Sequence, residues 1–199
     1  MTKVTTSDIK KLRELSGVGV QDAQIALKET DGDIGKAIHL LRKKGAVKAV
    51  KKSSRTASQG LIESYVHGGK VGVLVEVNCE TDFVAKTDDF KNFVHDLSLQ
   101  IAASAPVYIT KEQVDVSELE NEKEIIAEQM KGEKKSAKML ETIITGKLEK
   151  YYEAVCLMEQ PTIKDPKIKV KELLTDLVNK LGENIVIARF IRYQLGEEK

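Results

Sequence analysis

The chain has 199 residues, with 32 Lys and Arg against 31 Asp and Glu and a formal charge of +1. This length gives one or two domains with a core of their own, and the balance argues against capture of a polyanion by bulk charge. Aromatic residues make up 5% and Trp is absent, which argues against a stacking platform for single-stranded nucleic acid. The charge is unevenly placed: residues 1–55 carry 13 basic and 6 acidic side chains, and Lys36 to Arg55 holds eight basic residues and no acid. No apolar run reaches bilayer length, and MTKVTTSDIKKL lacks the hydrophobic middle of a secretion signal. Cys79 and Cys156 form no C-x-x-C pair, so two idle thiols in a reducing cytoplasm are the expectation.

The first 45 residues read as three short helices. Ile9, Leu12 and Leu15 form a helical stripe that ends at Ser16-Gly17. Ala23, Ala26 and Leu27 mark a second helix within Gln21–Glu29. Asp31-Gly32-Asp33 supplies a turn and cap for a third, with Ile34, Ala37, Ile38 and Leu41 at core spacing. Gly45 stands where a left-handed C-terminal cap is expected. Residues 46–60, AVKAVKKSSRTASQG, are basic and weakly periodic and read as a linker, either a solvated spacer or a phosphate-contacting strip.

From Leu61 the period changes to two. LIESYVH, then Gly68-Gly69, then KVGVLVEVN predict a β-hairpin, with Val71, Val73, Val75 and Val77 on one face. A lone hairpin is marginal in water, so NIVIARFIRYQL near the C-terminus is assigned as a third strand. Thr87 caps a predicted helix with Asp88 and Asp89 in its first turn and a buried stripe of Phe90, Phe93, Val94, Leu97 and Ile101. Pro106 ends it. Charged amphipathic segments follow at Ser117–Lys131 and Ser136–Ala154, then a loop, EQPTIKDP, and a last helix, Val170–Leu181, closed by Gly182. The fold class expected is α+β, a three-helix module followed by a small antiparallel three-stranded sheet packed with helices. The divisions are residues 1–45, a linker at 46–60 and a core at 61–199.

Catalytic and metal motifs are missing. TIITGKL contains Gly146-Lys147, but Glu141 occupies the first glycine position of a phosphate-binding loop and Leu148 follows the lysine. His39, His67 and His95 are scattered singly. The informative stretch is NCETDFVAKTDDF, residues 78–90. Asp88, Asp89 and Phe90 are explained by the helix they begin. Glu80 to Val84 precede that cap at a strand-to-helix corner, a place that carries function more often than packing does. There Phe83 either packs into its own core, or Glu80 and Asp82 serve a metal or acid–base role, or the segment enters another protein.

TDFVAKTDDF resembles the signature of the bacterial translation elongation factor Ts family. Two further blocks carry the same resemblance: ELSGVGVQDAQIALKETDGDIGKAIHLLRKKG, similar to that family's ubiquitin-associated-like module, and GENIVIARFIRYQLGE, similar to its closing core strand. The size resembles the short form, with one copy of the core. The resemblance implies a guanine-nucleotide exchange factor for elongation factor Tu, cytoplasmic, with no chemistry, metal or cofactor of its own. It also implies that Thr81, Asp82, Phe83 and Val84 enter near the GTPase's magnesium ion, and that Leu12, Val18, Gly19 and Val20 of the module touch the partner. Short forms imply a homodimer paired through their sheets. No membrane contact or direct nucleic-acid binding is expected, a basic nucleic-acid adapter being the alternative reading. Val18, Val20 and Gln21 stand where the family usually has Ala, Met and Met. Gln100 stands where related cores often have His.

Overall fold

Three helices come first because their caps and small core residues agree. In a computed structural model that describes residues 4–130 and 137–197, they are α1 (Thr6–Ser16), α2 (Val20–Glu29) and α3 (Ile34–Lys52). Thr5 caps α1 with a reciprocal box: the Asp8 amide donates to Thr5 Oγ1 at 3.2 Å, and the Thr5 amide donates to Asp8 Oδ2 at 3.0 Å. Such a cap contributes about 1 kcal/mol. Gly17, with φ of 67°, closes the helix in the left-handed region. Asp33 caps α3 as expected, accepting from the Lys36 amide at 2.9 Å. Leu12, Ala23, Ala26, Leu27 and Ala37 form the buried centre of the module. Leu15, counted in the sequence as part of the α1 stripe, is largely exposed.

Gly45 does not end α3. The helix continues through Ala46–Val50, good or neutral helix formers, to Lys52, so half of the segment read as a linker is helical. The glycine is there for closeness: a Cβ at position 45 would lie 2.4 Å from Asn179 Nδ2.

The sheet contains β1 (Gln59–His67), β2 (Val71–Cys79) and β3 (Ile185–Gln194) in the order β1-β2-β3, antiparallel throughout. The Lys70 amide donates to the His67 carbonyl at 3.0 Å, closing the hairpin over Gly68 and Gly69, both at positive φ. Along β2, Val73, Val75, Val77 and Cys79 are buried and Leu74 is exposed, as the alternation predicts. In β3 the alternation slips at Ala188-Arg189, both exposed, so the inward set passes from Ile185 and Ile187 to Phe190 and Arg192. This is the pattern that one extra residue imposes on a strand.

The remaining helices are α4 (Asp82–Ala85), α5 (Asp88–Ser104), α6 (Val116–Gln129), α7 (Ala137–Val155) and α8 (Val170–Leu181). Thr87 caps α5, accepting the Phe90 amide at 3.3 Å, and Phe90, Phe93, Val94, Leu97 and Ile101 are buried. Gly146 and Lys147 lie within α7, whose backbone amides are used in the helix rather than turned toward a phosphate. Lys131 and Ser136, expected ends of the two charged segments, lie outside the described residues.

The chain forms two compact units. One comprises Met1–Ile62, Glu76–Val94 and Glu172–Ala188, with Leu12, Leu27, Phe90, Val178 and Ile187 among its buried residues. The other comprises Glu63–Val75, His95–Lys171 and Arg189–Lys199, with Leu97, Ile101, Ile126 and Leu157 buried. In this second unit Gln100 is buried and its amide is fully used. Its Nε2 donates to Gln160 Oε1 at 3.1 Å and to Ser104 Oγ at 3.0 Å, while its Oε1 accepts from the Ile163 amide at 2.9 Å.

Candidate functional site

The corner between β2 and α5 is a built structure. Cys79 ends the strand with its side chain inward, its Sγ donating to the Thr81 carbonyl at 3.1 Å. Thr81 then caps the single turn of α4, Oγ1 accepting from the Val84 amide at 3.4 Å. The sequence reading placed Glu80–Val84 at a corner and did not foresee that Asp82–Ala85 is helical. Four residues are below the length that periodicity resolves.

Two carboxylates hold the corner from outside the signature. Glu183, just past α8, accepts the Glu80 and Thr81 amides on Oε2, each at 3.0 Å, and the Thr81 hydroxyl on Oε1 at 2.6 Å. Glu80 reaches the other way, accepting the Asn184 amide at 2.6 Å, with Arg55 Nη1 at 3.4 Å. Asn184 is buried and donates its side-chain amide to the Arg55 carbonyl at 2.7 Å. Residues 80–81 and 183–184 thereby lock each other in place. Sequence reasoning missed Glu183 and Asn184, which lie about a hundred residues away; the only trace was GEN ahead of the last strand.

On this base Phe83 stands out. Its side chain is 79% exposed, which overturns the reading that it packs into its own core. Asp82 is exposed beside it and pairs with Lys86 Nζ at 2.6 Å, one helical turn on. That hydrogen bond holds the Asp82 carboxyl below its ordinary range. Val84 is half-buried. The acidic pair considered for metal or acid–base work is not assembled: Glu80 faces Asn184 and Arg55, Asp82 faces Lys86. Among the described residues, no group of three or more His, Cys, Asp and Glu side chains is placed to hold a metal ion.

The module residues divide by burial. Leu12 has no exposed surface and so supports the module from within rather than facing outward. Val18 packs on the module core, Gly19 precedes α2 at the N-cap position, and Val20 is 51% exposed.

The basic run is largely committed to the protein itself. Lys36 pairs with Asp33, Lys44 with Glu29, Lys48 with Asp22 and Arg55 with Glu80, while Lys52 donates to the Val178 carbonyl at 3.2 Å. Three of the eight basic side chains, Arg42, Lys43 and Lys51, are outside these pairs, too few for a phosphate-tracking strip.

Comparison with known proteins supplies the family. Residues 1–197 match the family model described as elongation factor TS. The chain belongs to the elongation factor Ts family. The elongation factor Ts of Caldanaerobacter subterraneus subsp. tengcongensis is 52% identical over 195 residues, covering 98% of this chain and 98% of that protein. That of Carboxydothermus hydrogenoformans is 51% identical over 195 residues, covering 98% of this chain and 90% of the relative. That of Moorella thermoacetica is 50% identical over 195 residues, with 98% and 96% covered. As a member of the family, the chain is a bacterial-type translation elongation factor. Among the described residues no helix is long and apolar enough to cross a membrane.

Proposed function

We propose that this chain is a guanine-nucleotide exchange factor for elongation factor Tu, working in the bacterial cytoplasm without catalytic chemistry, metal or cofactor of its own. The observation that carries the reading is the exposed Phe83 ring on a short turn whose backbone is clamped by Glu183. A phenylalanine held in water on a rigid support gains about 1.5–3 kcal/mol when a partner buries it. Asp82, ionised beside it, is suited to disturb a cation site. In this reading Thr81, Asp82, Phe83 and Val84 enter the GTPase near its magnesium ion, which bridges the nucleotide phosphates. A factor that binds the nucleotide-free state more tightly than the GDP state weakens GDP by the same factor. The ring alone supplies one to two decades, at about 1.4 kcal/mol per decade, so the rest of the interface must supply more.

The division into a module at 1–45, a tether and a core at 61–199 belongs to the same proposal. The module grips the GTPase through the loop of Val18, Gly19 and Val20, with Leu12 fixing that loop from beneath. A homodimer is part of it too: Val66, Leu74, Ile191 and Tyr193 are exposed on their strands, an apolar surface that a second sheet would cover. The test follows release of fluorescent GDP from elongation factor Tu. Asp82→Ala with Phe83→Ala should slow release to near the spontaneous rate while the fold persists; unchanged release in a folded double variant overturns the wedge. Light scattering that gives a monomer mass, alone and with Tu, removes the dimer.

A further inference from the structure

A cleft of about 230 Å³ lies between the helices of the N-terminal module and α8, inside one compact unit. Its apolar lining includes Val18, Ile25, Ile38 and Leu41. Arg42, Lys44, Lys48 and Lys52 of α3 also line it, against the acids Asp22 and Asp176. The lining therefore combines apolar side chains with a net positive charge.

Two of these polar groups are incompletely satisfied by the protein. Lys52 donates to the Val178 carbonyl, and among the described residues no carboxylate lies within ion-pair distance of it. Burial, and then the charge of Arg55, lower its pKa. Asn179 donates its Nδ2 to the Thr175 carbonyl at 2.8 Å, while its Oδ1 is buried without a hydrogen-bond partner. Turning the amide over does not help, because Oδ1 would then face the Thr175 carbonyl oxygen. Native structures rarely leave such an acceptor bare. It sits beside Gly45, whose missing side chain lets Asn179 approach.

We infer that this cleft binds a small organic anion made of a ring-sized apolar body, an anionic group and one N–H or O–H donor. The anion meets Lys52 and shares Lys48 with Asp22, which lies 3.2 Å from it. The donor reaches Asn179 Oδ1, covered in this structure, on a turn of that side chain. The body lies on Val18, Ile25 and Leu41. The size decides against a helix or an extended peptide: an apolar cavity of about 150 Å³ is filled by benzene, and drug-sized sites begin near about 300 Å³. This site is independent of the exchange reading, since the isolated chain suffices to test it.

Anilinonaphthalene sulfonate carries all three features and brightens when desolvated. Titrated into the full chain, it should bind saturably at one site and shift amide resonances of Val18, Ile25 and Leu41. Lys48→Gln with Lys52→Gln should weaken it by about ten-fold or more, since each charged hydrogen bond lost is worth that much. Ile25→Glu, a charge placed at an exposed position on the rim, should weaken it comparably without disturbing the fold, which circular dichroism checks. Affinity unchanged in both variants, resonance shifts confined to the strands, or a signal that never saturates would overturn the site.

Discussion

One carboxylate, that of Glu183, holds Thr81 twice, accepting its amide on Oε2 at 3.0 Å and its hydroxyl on Oε1 at 2.6 Å. The same Oε2 accepts the Glu80 amide, so the start of α4 rests on a residue outside the signature. Glu183→Ala leaves two part-buried amides and a hydroxyl without this partner. It should cost about 2–3 kcal/mol in urea unfolding and slow GDP release from Tu although Phe83 is untouched. Glu183→Gln, which keeps the shape, should cost less. Wild-type stability and exchange in the alanine variant would show that the clamp is dispensable.

Phe83 and Phe90 lie seven residues apart and should respond oppositely. Phe83→Ala removes an exposed ring and should leave the unfolding midpoint within about 0.5 kcal/mol of the parent. Phe90→Ala empties a fully buried position and should cost about 3–5 kcal/mol. A large loss at position 83 would mean that the ring packs within its own chain in solution.

What the sequence could reveal followed the range of its signals. The hairpin was legible because Gly68-Gly69 and the alternating valines act over a few residues, and the α5 stripe because five apolar residues keep helical spacing over about three turns from Phe90 to Ile101. The corner at 80–84 was recognised as a site, but its construction was not, because Glu183 and Asn184 meet Glu80 and Thr81 only through the fold. Gly45 misled for the same reason. A glycine after a basic helical turn reads as a cap, and only Asn179, far along the chain, explains why it stands inside a helix instead. The basic run left two readings open for a different reason: composition counts lysines, whereas geometry shows which carboxylates they already face.

Gly60 is a position where backbone meets backbone. At φ of 154°, a Cβ there would lie 2.2 Å from the Val77 carbonyl oxygen and 2.8 Å from Asn78 Cα, and neither can swing aside. Gly60→Ala should cost about 3 kcal/mol through strain and strand separation. Gly72→Ala, with nothing within 4 Å of the added carbon, serves as the control and should unfold near the parent. Equal stability of the two variants would refute the close approach.

Glu159 is buried among Lys171, Lys169 and Lys111, whose ammonium groups lie 2.8, 3.5 and 3.9 Å away. Burial opposes its charge, but the Lys171 hydrogen bond and the three lysine charges outweigh burial, so the carboxyl titrates below its ordinary 4.5. A depressed folded value means that this stabilisation is complete above pH 4.5 and is lost as the pH falls through the lower folded value. Glu159→Gln should therefore cost about 2 kcal/mol at neutral pH, with the two stability curves converging below pH 4.5. Parallel curves down to pH 3 would remove Glu159 from the acid response.

The two thiols should be silent in the folded protein. Cys79 and Cys156 are both fully buried. Burial, joined by the Glu183 charge, raises the Cys79 pKa, and burial, joined by the Glu159 charge, pushes Cys156 up to about 11. Reaction with a thiol reagent requires an exposed thiolate, and at pH 8 neither cysteine offers one without local opening. Titration with a disulfide reagent at pH 8 should find no rapid thiol in the native protein and two after denaturant. If Glu183→Ala then exposes one fast thiol, Cys79 has been released together with its clamp, because its Sγ is held to the same Thr81. A fast Cys79 in the unaltered protein would instead mean that the corner opens spontaneously, and the rigid support required beneath Phe83 would be lost with it.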